Sequence, residues 1–216
     1  MNWGGYASNG TTVVEQSRTI EWGSTTRFRE GNATGGDLGV VVTVPSGTLV
    51  AAIDGAGHGP KAAWAAAAAA DVIRSFAGDD LRLLLRDCDE ALRPTRGAAL
   101  SIALLTFASE QLTWVGIGNV EGRLVRHSPT QHRTHVSLPL SSGVLGRGLP
   151  RITSTTLDLT RGDVLILATD GISTSFADRL VPTGRPGELA EQIAADHGTS
   201  ADDTLVLVMR YLGGPA

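Results

Sequence analysis

An apolar segment that ends in an acidic residue and a run of glycines places the strongest constraint on the fold. Residues 38–44 form a β-branched run, residues 45–47 provide a turn, and a second apolar run ends at Asp54. This pattern predicts a β-hairpin. Because antiparallel pairing brings the start of one strand beside the end of the other, Asp37 is expected to lie next to Asp54. Pro60 then suits the first turn of a helix, so a helix is predicted to follow the hairpin.

Two helices are predicted directly after the hairpin. The first covers residues 60–76 and carries Trp64, Ala68, Val72 and Phe76 along one side. The second covers residues 79–92, where Asp79 or Asp80 can cap the amino terminus. Its apolar stripe consists of Leu81, Leu84, Leu85, Cys88 and Leu92. We expect the two helices to pack together.

The remaining periodicity is mainly that of strands. One or two strands are expected before residue 37, and residues 98–107, 112–117 and 122–126 are predicted to form an antiparallel meander. A loop over residues 137–150 separates them from a predicted hairpin of residues 152–159 and 164–169. A helix over residues 186–197 and a strand over residues 204–211 complete the chain.

Hairpins outnumber strand–helix–strand crossovers in this prediction, which indicates an α+β fold with mainly antiparallel sheets. The chain has 216 residues, of which 42% are hydrophobic. That length suits one well-filled core, so residues 1–216 are predicted to form a single domain.

Composition argues against several classes of partner. The formal net charge is -4 and the basic residues are scattered, so nucleic acid is not an expected partner. The longest small-apolar tract, residues 62–70, is shorter than the roughly 20 residues that a membrane span needs. The amino terminus lacks the pattern of a secretory signal, and a single cysteine, Cys88, fits a reducing compartment. A cytoplasmic protein without membrane contact is therefore expected.

Two further acidic sites lie at strand ends. The predicted strand 164–169 runs into Asp170, and Asp202 and Asp203 directly precede the final strand. An Asp-Gly pair alone is common in turns for conformational reasons. The repetition of the pattern, with a helix rather than a returning strand after Asp54, favours a functional cluster instead.

Clustered carboxylates repel one another, and a divalent cation relieves that repulsion. Oxygen ligands suit Mg²⁺ or Mn²⁺ rather than zinc. Two such ions can share a water, lower its pKa and direct it at a phosphorus centre. His58 could donate a proton to the leaving group, although a turn histidine bonded to backbone is an equal alternative. Arg27, Arg29 and Lys61 could contact a phosphate or be ordinary surface charges.

Glycine-rich nucleotide motifs do not explain residues 55–61. A P-loop needs Ser or Thr directly after its lysine, and Ala62 stands at that position after Lys61. A dinucleotide fingerprint also fails, because a single residue separates the second and third glycines.

Four short motifs, in order along most of the chain, resemble a known family. They are Gly35-Gly36-Asp37, the segment 54–59, the segment 168–171 and Asp202-Asp203. This set resembles the metal-dependent protein serine/threonine phosphatases of the type 2C class, in the bacterial branch that includes SpoIIE, RsbU and RsbX. The resemblance implies a four-layer αββα sandwich of two antiparallel sheets. It also implies a centre of two Mn²⁺ or Mg²⁺ ions between the sheet edges.

The resemblance also implies roles for single residues. Asp54 would bridge both ions, the Gly55 carbonyl would bind the first, and Asp170 and Asp202 would hold the second. Asp37 would bind an ion directly or through a water. Asp203 is the alternative to Asp202, because Leu205 occupies a position where the family usually has Thr. His58 does not occupy the position of the general-acid histidine of eukaryotic relatives, which lies two residues after the bridging Asp.

Chain length implies a place within this branch. The resemblance begins near residue 35 or earlier, which leaves no room for an amino-terminal sensor or membrane domain, so an RsbX-like phosphatase fits best. Such an enzyme would dephosphorylate serine or threonine on STAS-domain proteins of a stressosome, RsbS-like and RsbR-like, through a metal-activated water. Three alternatives remain open: a phosphatase of another anti-sigma-factor antagonist, a non-catalytic docking module of a signalling complex, and a metal-dependent phosphohydrolase for small molecules, which would need a deep basic pocket.

Overall fold

The computed structural model describes residue 9 and residues 11–128, 134–177 and 180–214. The helices are α1 (Pro60–Ser75), α2 (Leu81–Leu92) and α3 (Pro186–His197), with a 3₁₀ helix at Thr174–Ala177. The strands before the helices are β1 (Thr11–Gln16), β2 (Ile20–Arg27), β3 (Asp37–Val44) and β4 (Gly47–Gly55). Those after α2 are β5 (Ala98–Thr106), β6 (Gln111–Ile117), β7 (Glu121–Val125), β8 (His135–Ser137), β9 (Leu140–Ser141), β10 (Thr155–Asp158), β11 (Val164–Ala168) and β12 (Thr204–Tyr211).

These strands form two sheets. Sheet I has the order β1-β2-β12-β11-β7-β8, and sheet II has the order β10-β6-β5-β4-β3, with β9 beside β6. The strands of both sheets pair antiparallel except for the short parallel pair of β6 and β9. The predicted α+β class with mainly antiparallel sheets is therefore confirmed.

Three hydrophobic cores separate four layers. Helices α1 and α2 pack on the outer face of sheet II, and α3 packs on the outer face of sheet I. The third core lies between the sheets, where Trp114 and Leu167 are fully buried. Because both faces of each sheet are covered, β11 is buried along its whole length, and β4 is buried at every residue except Asp54. The architecture is the predicted αββα sandwich.

The hairpin that carries the first acidic site has the predicted register. Asp37 pairs directly with Asp54, and the pairing continues to Val44 and Gly47 at the turn. Helix α1 begins at Pro60, as predicted from the proline. The hairpin and the helix therefore hold residues 54–60 at one end of sheet II.

The predicted side of α1 is only partly correct: Ala68, Val72 and Phe76 are partly buried against the core between this helix and sheet II, but Trp64 is not. Trp64 is 53% exposed, whereas the buried face consists of five alanines and one isoleucine. The residues of the buried face are Ala62, Ala65, Ala66, Ala69, Ala70 and Ile73. Alanine lets the helix backbone approach the sheet closely, and a tryptophan at that interface would force the two apart. Helix α2 has the predicted buried stripe, and Asp80 caps it by accepting the Arg82 N–H at 2.8 Å.

Two predicted strand connections are wrong, because each crosses from one sheet to the other. β7 does not continue the meander of β5 and β6 but pairs with β11 in sheet I. β10 does not form a hairpin with β11 but pairs with β6 at the edge of sheet II. Trp114 of β6 lies against Gly122 of β7, where any side chain would collide with the indole ring. β6 and β7 are therefore stacked face to face in different sheets rather than paired edge to edge in one sheet.

None of the helices in the described ranges combines the length and the apolar character that crossing a membrane requires.

Candidate metal centre

Three of the predicted carboxylates line one cleft. Asp54, Asp170 and Asp202 surround a volume of about 260 Å³ at the edge of the sandwich. Asp54 lies at the end of β4, Asp170 directly follows β11, and Asp202 shortly precedes β12. Antiparallel pairing of β11 with β12 brings the end of one beside the start of the other. The cleft therefore forms where sheet II meets sheet I.

Asp37 lies behind the cleft rather than in its lining. Its side chain is 4% exposed, and its carboxylate accepts a hydrogen bond from the Thr169 hydroxyl at 2.6 Å. The same hydroxyl accepts the backbone N–H of Leu205 at 2.8 Å. Thr169 precedes Asp170 at the end of β11, so this bond joins the two sheets at the acidic edge.

Burial and mutual repulsion raise the pKa values of these carboxyl groups. Burial, followed by the charge of Asp170, raises the pKa of Asp54 to about 7. Burial, followed by the charge of Asp54, raises the pKa of Asp37 well above its usual value. The pKa of Asp170 is also raised, by burial and then by the charge of Asp202. At neutral pH the cluster therefore holds protons, or a cation must offset the repulsion.

The donors fit a hard divalent cation. They are carboxylate oxygens at the junction of two sheets, and among the described residues no ion pair neutralises any of them. No three acidic, imidazole or thiol side chains in the described ranges are arranged as the ligand set of one ion. Magnesium commonly uses one or two carboxylates and retains several waters, so a sparse carboxylate set suits it better than zinc.

The two neighbouring aspartates before β12 have different environments. Asp202 is exposed and lines the cleft. Asp203 is 3% exposed, and its two oxygens accept the backbone N–H groups of Arg29 at 2.8 Å and of Gly36 at 2.7 Å. The geometry thus favours Asp202 over Asp203 as a ligand.

Two of the other predicted residues line the cleft, and three lie outside its lining. His58 and Arg29 line it. Gly55 is buried outside the lining, and its N–H donates to the Gly36 carbonyl at 3.0 Å. Arg27 donates to the Ala194 carbonyl at 3.1 Å and so holds α3. Lys61 is exposed on α1 outside the cleft lining.

Asn119 is a cleft residue that sequence analysis missed. Its side-chain amide donates to the Asp170 carboxylate at 2.5 Å, and a hydrogen bond from Asn119 also lowers the pKa of Asp54. Gly118-Asn119 resembles an ordinary turn, and only the crossing of β6 to β7 between the sheets brings this turn to the acidic edge. Ala99 and Val144 add apolar surface to the lining.

An αββα sandwich with a carboxylate-lined cleft where its two sheets meet defines the metal-dependent phosphatases of the type 2C class. The sequence agrees with this assignment, since the family described as Stage II sporulation protein E (SpoIIE) matches residues 45–212. The chain belongs to the SpoIIE family.

Relatives within this class cover almost the whole chain. Phosphoserine phosphatase RsbX of Bacillus subtilis (strain 168) is 27% identical over 184 residues, which are 85% of this chain and 90% of RsbX. A crystal structure of RsbX in complex with magnesium superposes with a TM-score of 0.80 at 25% identity, covering 93% of this chain and 100% of that one. A structure from work on the bacterial stressosome, described as a modular system adapted to control secondary messenger signaling, has a TM-score of 0.79. Its identity is 28%, and the match covers 88% of this chain and 99% of that one.

Proposed function

We propose that the protein is an RsbX-like phosphoserine and phosphothreonine protein phosphatase that depends on two Mn²⁺ or Mg²⁺ ions. The observation that carries this proposal is the convergence of Asp54, Asp170 and Asp202 on one cleft, with Asp37 buried beside Asp54. Likeness to an RsbX that was solved with magnesium supports it. Residues 1–216 form the proposed catalytic domain.

The proposed ligand roles are those that the family resemblance implies. Asp54 would contact both ions and the Gly55 carbonyl the first, whereas Asp170 and Asp202 would hold the second. Asp37 would bind an ion directly or through a water. When bound, divalent ions lower the pKa of water and neutralise phosphoryl oxygens.

The remaining cleft residues would position the substrate and the ligands. The guanidinium of Arg29 can bind phosphoryl oxygens in the fork geometry that suits phosphate. Asn119 holds the Asp170 carboxylate in place through its amide. His58 is placed on the cleft lining, where it could protonate the leaving alkoxide of serine or threonine. The pKa of Asp54 is raised, so this residue would have to be deprotonated in order to hold a cation.

The proposed substrate is a phosphorylated STAS-domain protein of a stressosome-like complex. Two relatives support this choice: the RsbX phosphoserine phosphatase and the stressosome structure. Such a substrate would place the enzyme in the cytoplasm, without nucleic acid or membrane as partners.

One experiment tests the function directly. The purified protein is incubated with a phosphorylated STAS domain and, separately, with p-nitrophenyl phosphate, in Mn²⁺ or in EDTA, alongside Asp54→Asn. We expect phosphate release from both substrates in Mn²⁺ and loss of at least about 100-fold of the rate in EDTA or in the variant. Equal rates for wild type and Asp54→Asn would exclude the proposed centre. Release from the small ester but not from the STAS domain would exclude the proposed substrate.

A further inference from the structure

Asp203 is a buried carboxylate that the ligand set proposed above leaves without a role. Its two oxygens are used separately: one accepts the Arg29 N–H at 2.8 Å, and the other accepts the Gly36 N–H at 2.7 Å. The side chain is 3% exposed and forms no ion pair within the described part of the chain. A buried charge of this kind persists where hydrogen bonds to it compensate for the lost water.

The two donors are the ends of one loop. The loop runs from Arg29 to Gly36. It contains an internal turn, in which the Asn32 N–H donates to the Arg29 carbonyl at 3.0 Å. The Glu30 N–H also donates to the Ser200 carbonyl at 3.3 Å, so the loop lies along the segment that leads to β12. One carboxylate therefore closes the loop by holding its first and last amides.

Two glycines allow the backbone of this loop to pack closely against its surroundings near the Asp203 carboxylate. A Cβ added to Gly35 would lie 2.3 Å from the Phe28 ring and 3.2 Å from the Asp203 carboxyl carbon. A Cβ on Gly36 would lie 2.7 Å from the Cβ of Ala62. Glycine at both positions lets the backbone approach the buried charge without a side chain between them.

Both ends of the loop lead into the cleft. Arg29 lines it, and Gly36 precedes Asp37, while the Gly36 carbonyl accepts the N–H of Gly55 beside Asp54. The position of the Arg29 backbone, and with it the reach of the guanidinium, therefore depends on the Asp203 carboxylate.

We infer that Asp203 is a positioning residue that acts through Arg29: it fixes the loop so that the guanidinium meets the substrate phosphate, while Asp202 holds the metal. This inference rests on the proposed function. It assigns different roles to two adjacent aspartates: Asp202 holds the metal, and Asp203 positions the arginine that binds the phosphate.

The test is a double-mutant cycle of Asp203→Asn and Arg29→Ala in the full chain. The isosteric amide keeps one acceptor oxygen but turns an NH₂ donor toward the second backbone N–H. We expect each single variant to raise both the KM for phosphoprotein and the inhibition constant of inorganic phosphate about tenfold. The double variant is expected to match Arg29→Ala within about twofold, because the two residues act in series. The Mn²⁺ concentration for half activity should stay within about twofold of wild type, whereas Asp202→Asn should raise it.

A matched control and a readout independent of activity complete the design. Asp163 is also a buried carboxylate, 1% exposed, that accepts the N–H groups of His127 at 2.7 Å and Thr160 at 3.0 Å, away from the cleft lining; unlike Asp203, it also forms an ion pair with Arg126 at 2.7 Å. Asp163→Asn should lower the melting temperature without raising the inhibition constant of phosphate. Amide hydrogen exchange should show faster exchange at Arg29 and Gly36 in Asp203→Asn but not in Asp163→Asn.

Three results would overturn the inference: additive effects in the cycle, unchanged exchange at both amides, or a rise in the metal requirement of Asp203→Asn with normal phosphate inhibition. A wild-type protein that is inactive on every phosphate ester would overturn the proposed function instead. The exchange experiment would still report whether Asp203 holds the loop.

Discussion

The Thr169 hydroxyl donates a 2.6 Å hydrogen bond to the Asp37 carboxylate, and this bond joins the last residue before Asp170 in sheet I to the first residue of β3 in sheet II. It also counteracts part of the rise in the pKa of Asp37 that burial and the charge of Asp54 produce. The Thr169 hydroxyl therefore favours the ionised form of the buried Asp37 carboxyl, and it links the two sheets at the acidic edge.

Replacement of Thr169 by valine is expected to destabilise the protein by about 2–3 kcal/mol. The shape is kept, but Asp37 loses its donor and the Leu205 N–H loses its acceptor inside the sandwich. Urea unfolding in EDTA measures the loss. Thr169→Ser retains the hydroxyl and removes one methyl group, so its loss should be about 1 kcal/mol or less. Equal losses in the two variants would show that packing, and not the hydrogen bond, is responsible.

The sequence was sufficient to predict the hairpin geometry of the centre. A β-branched run, a Pro-Ser-Gly turn and a second apolar run specify an antiparallel pair, and that pairing alone brings Asp37 beside Asp54. Helices α1 and α2 were equally predictable from the sequence, because Pro60 and Asp80 mark their starts. The meeting of these residues with Asp170 and Asp202 was inferred from family resemblance, since the spacing along the chain does not relate the two sheets.

Connections between the sheets were not predictable from local patterns. The turns after β6 and β10 have the composition of hairpin turns, yet each passes to the opposite sheet. Because both sheets are buried on both faces, apolar periodicity does not show which sheet a strand joins. Asn119 was missed for this reason, and the hydrogen bonds of Asp203 were missed because its partners are backbone amides without a sequence signature.

Asp54→Asn is expected to stabilise the metal-free protein while it abolishes activity. Above its unfolded pKa of 3.8, the carboxyl of Asp54 must either keep a proton or bear a buried charge near Asp170, and either state costs free energy. A neutral amide removes that cost, so the free energy of unfolding in EDTA at pH 7.5 should rise by about 1–2 kcal/mol. Mn²⁺ should then stabilise the wild type more than the variant. Destabilisation of the metal-free variant would contradict the assigned repulsion.

The stability of the metal-free protein should depend on pH through the same residue. The folded pKa of Asp54, about 7, lies above the unfolded value of 3.8, so the unfolded state releases its proton first as pH rises. The stabilising contribution of the protonated group is therefore complete below pH 4, falls between pH 4 and 7, and is absent above. The melting temperature of the wild type relative to Asp54→Asn should decrease across this window. A constant difference from pH 4 to 7.5 would refute the raised pKa.

Gly55→Ala is expected to disturb the centre through helix α1. An added Cβ would lie 2.2 Å from the backbone carbonyl oxygen of Ala62, which cannot move without the helix. A loss of about 2–3 kcal/mol is expected in urea unfolding, together with a higher Mn²⁺ requirement. Gly39→Ala in the same hairpin is the control, because its nearest neighbour is the flexible end of Leu207 at 3.2 Å. Similar losses in both variants would show that the hairpin itself, rather than its contact with α1, is sensitive.

Asn119→Leu should weaken metal binding in a pH-dependent way. The Asn119 amide donates to Asp170 and lowers the pKa values of Asp170 and Asp54, so its removal leaves both acids harder to deprotonate. Since metal binding requires the deprotonated ligands, the Mn²⁺ concentration for half activity should rise about tenfold at pH 7.

The defect of Asn119→Leu should shrink as the pH rises from 7 to 8.5, because a higher pH favours the deprotonated carboxylates that metal binding requires. Gln111→Leu removes a comparable amide donor, 3.1 Å from Asp158 at the edge of sheet II, and should leave the metal requirement unchanged at both pH values. Titration of activity with Mn²⁺ at pH 7 and pH 8.5 separates an effect on the protonation of the ligands from an effect on their orientation. A defect of equal size at pH 7 and pH 8.5 would mean that Asn119 orients Asp170 without influencing its protonation.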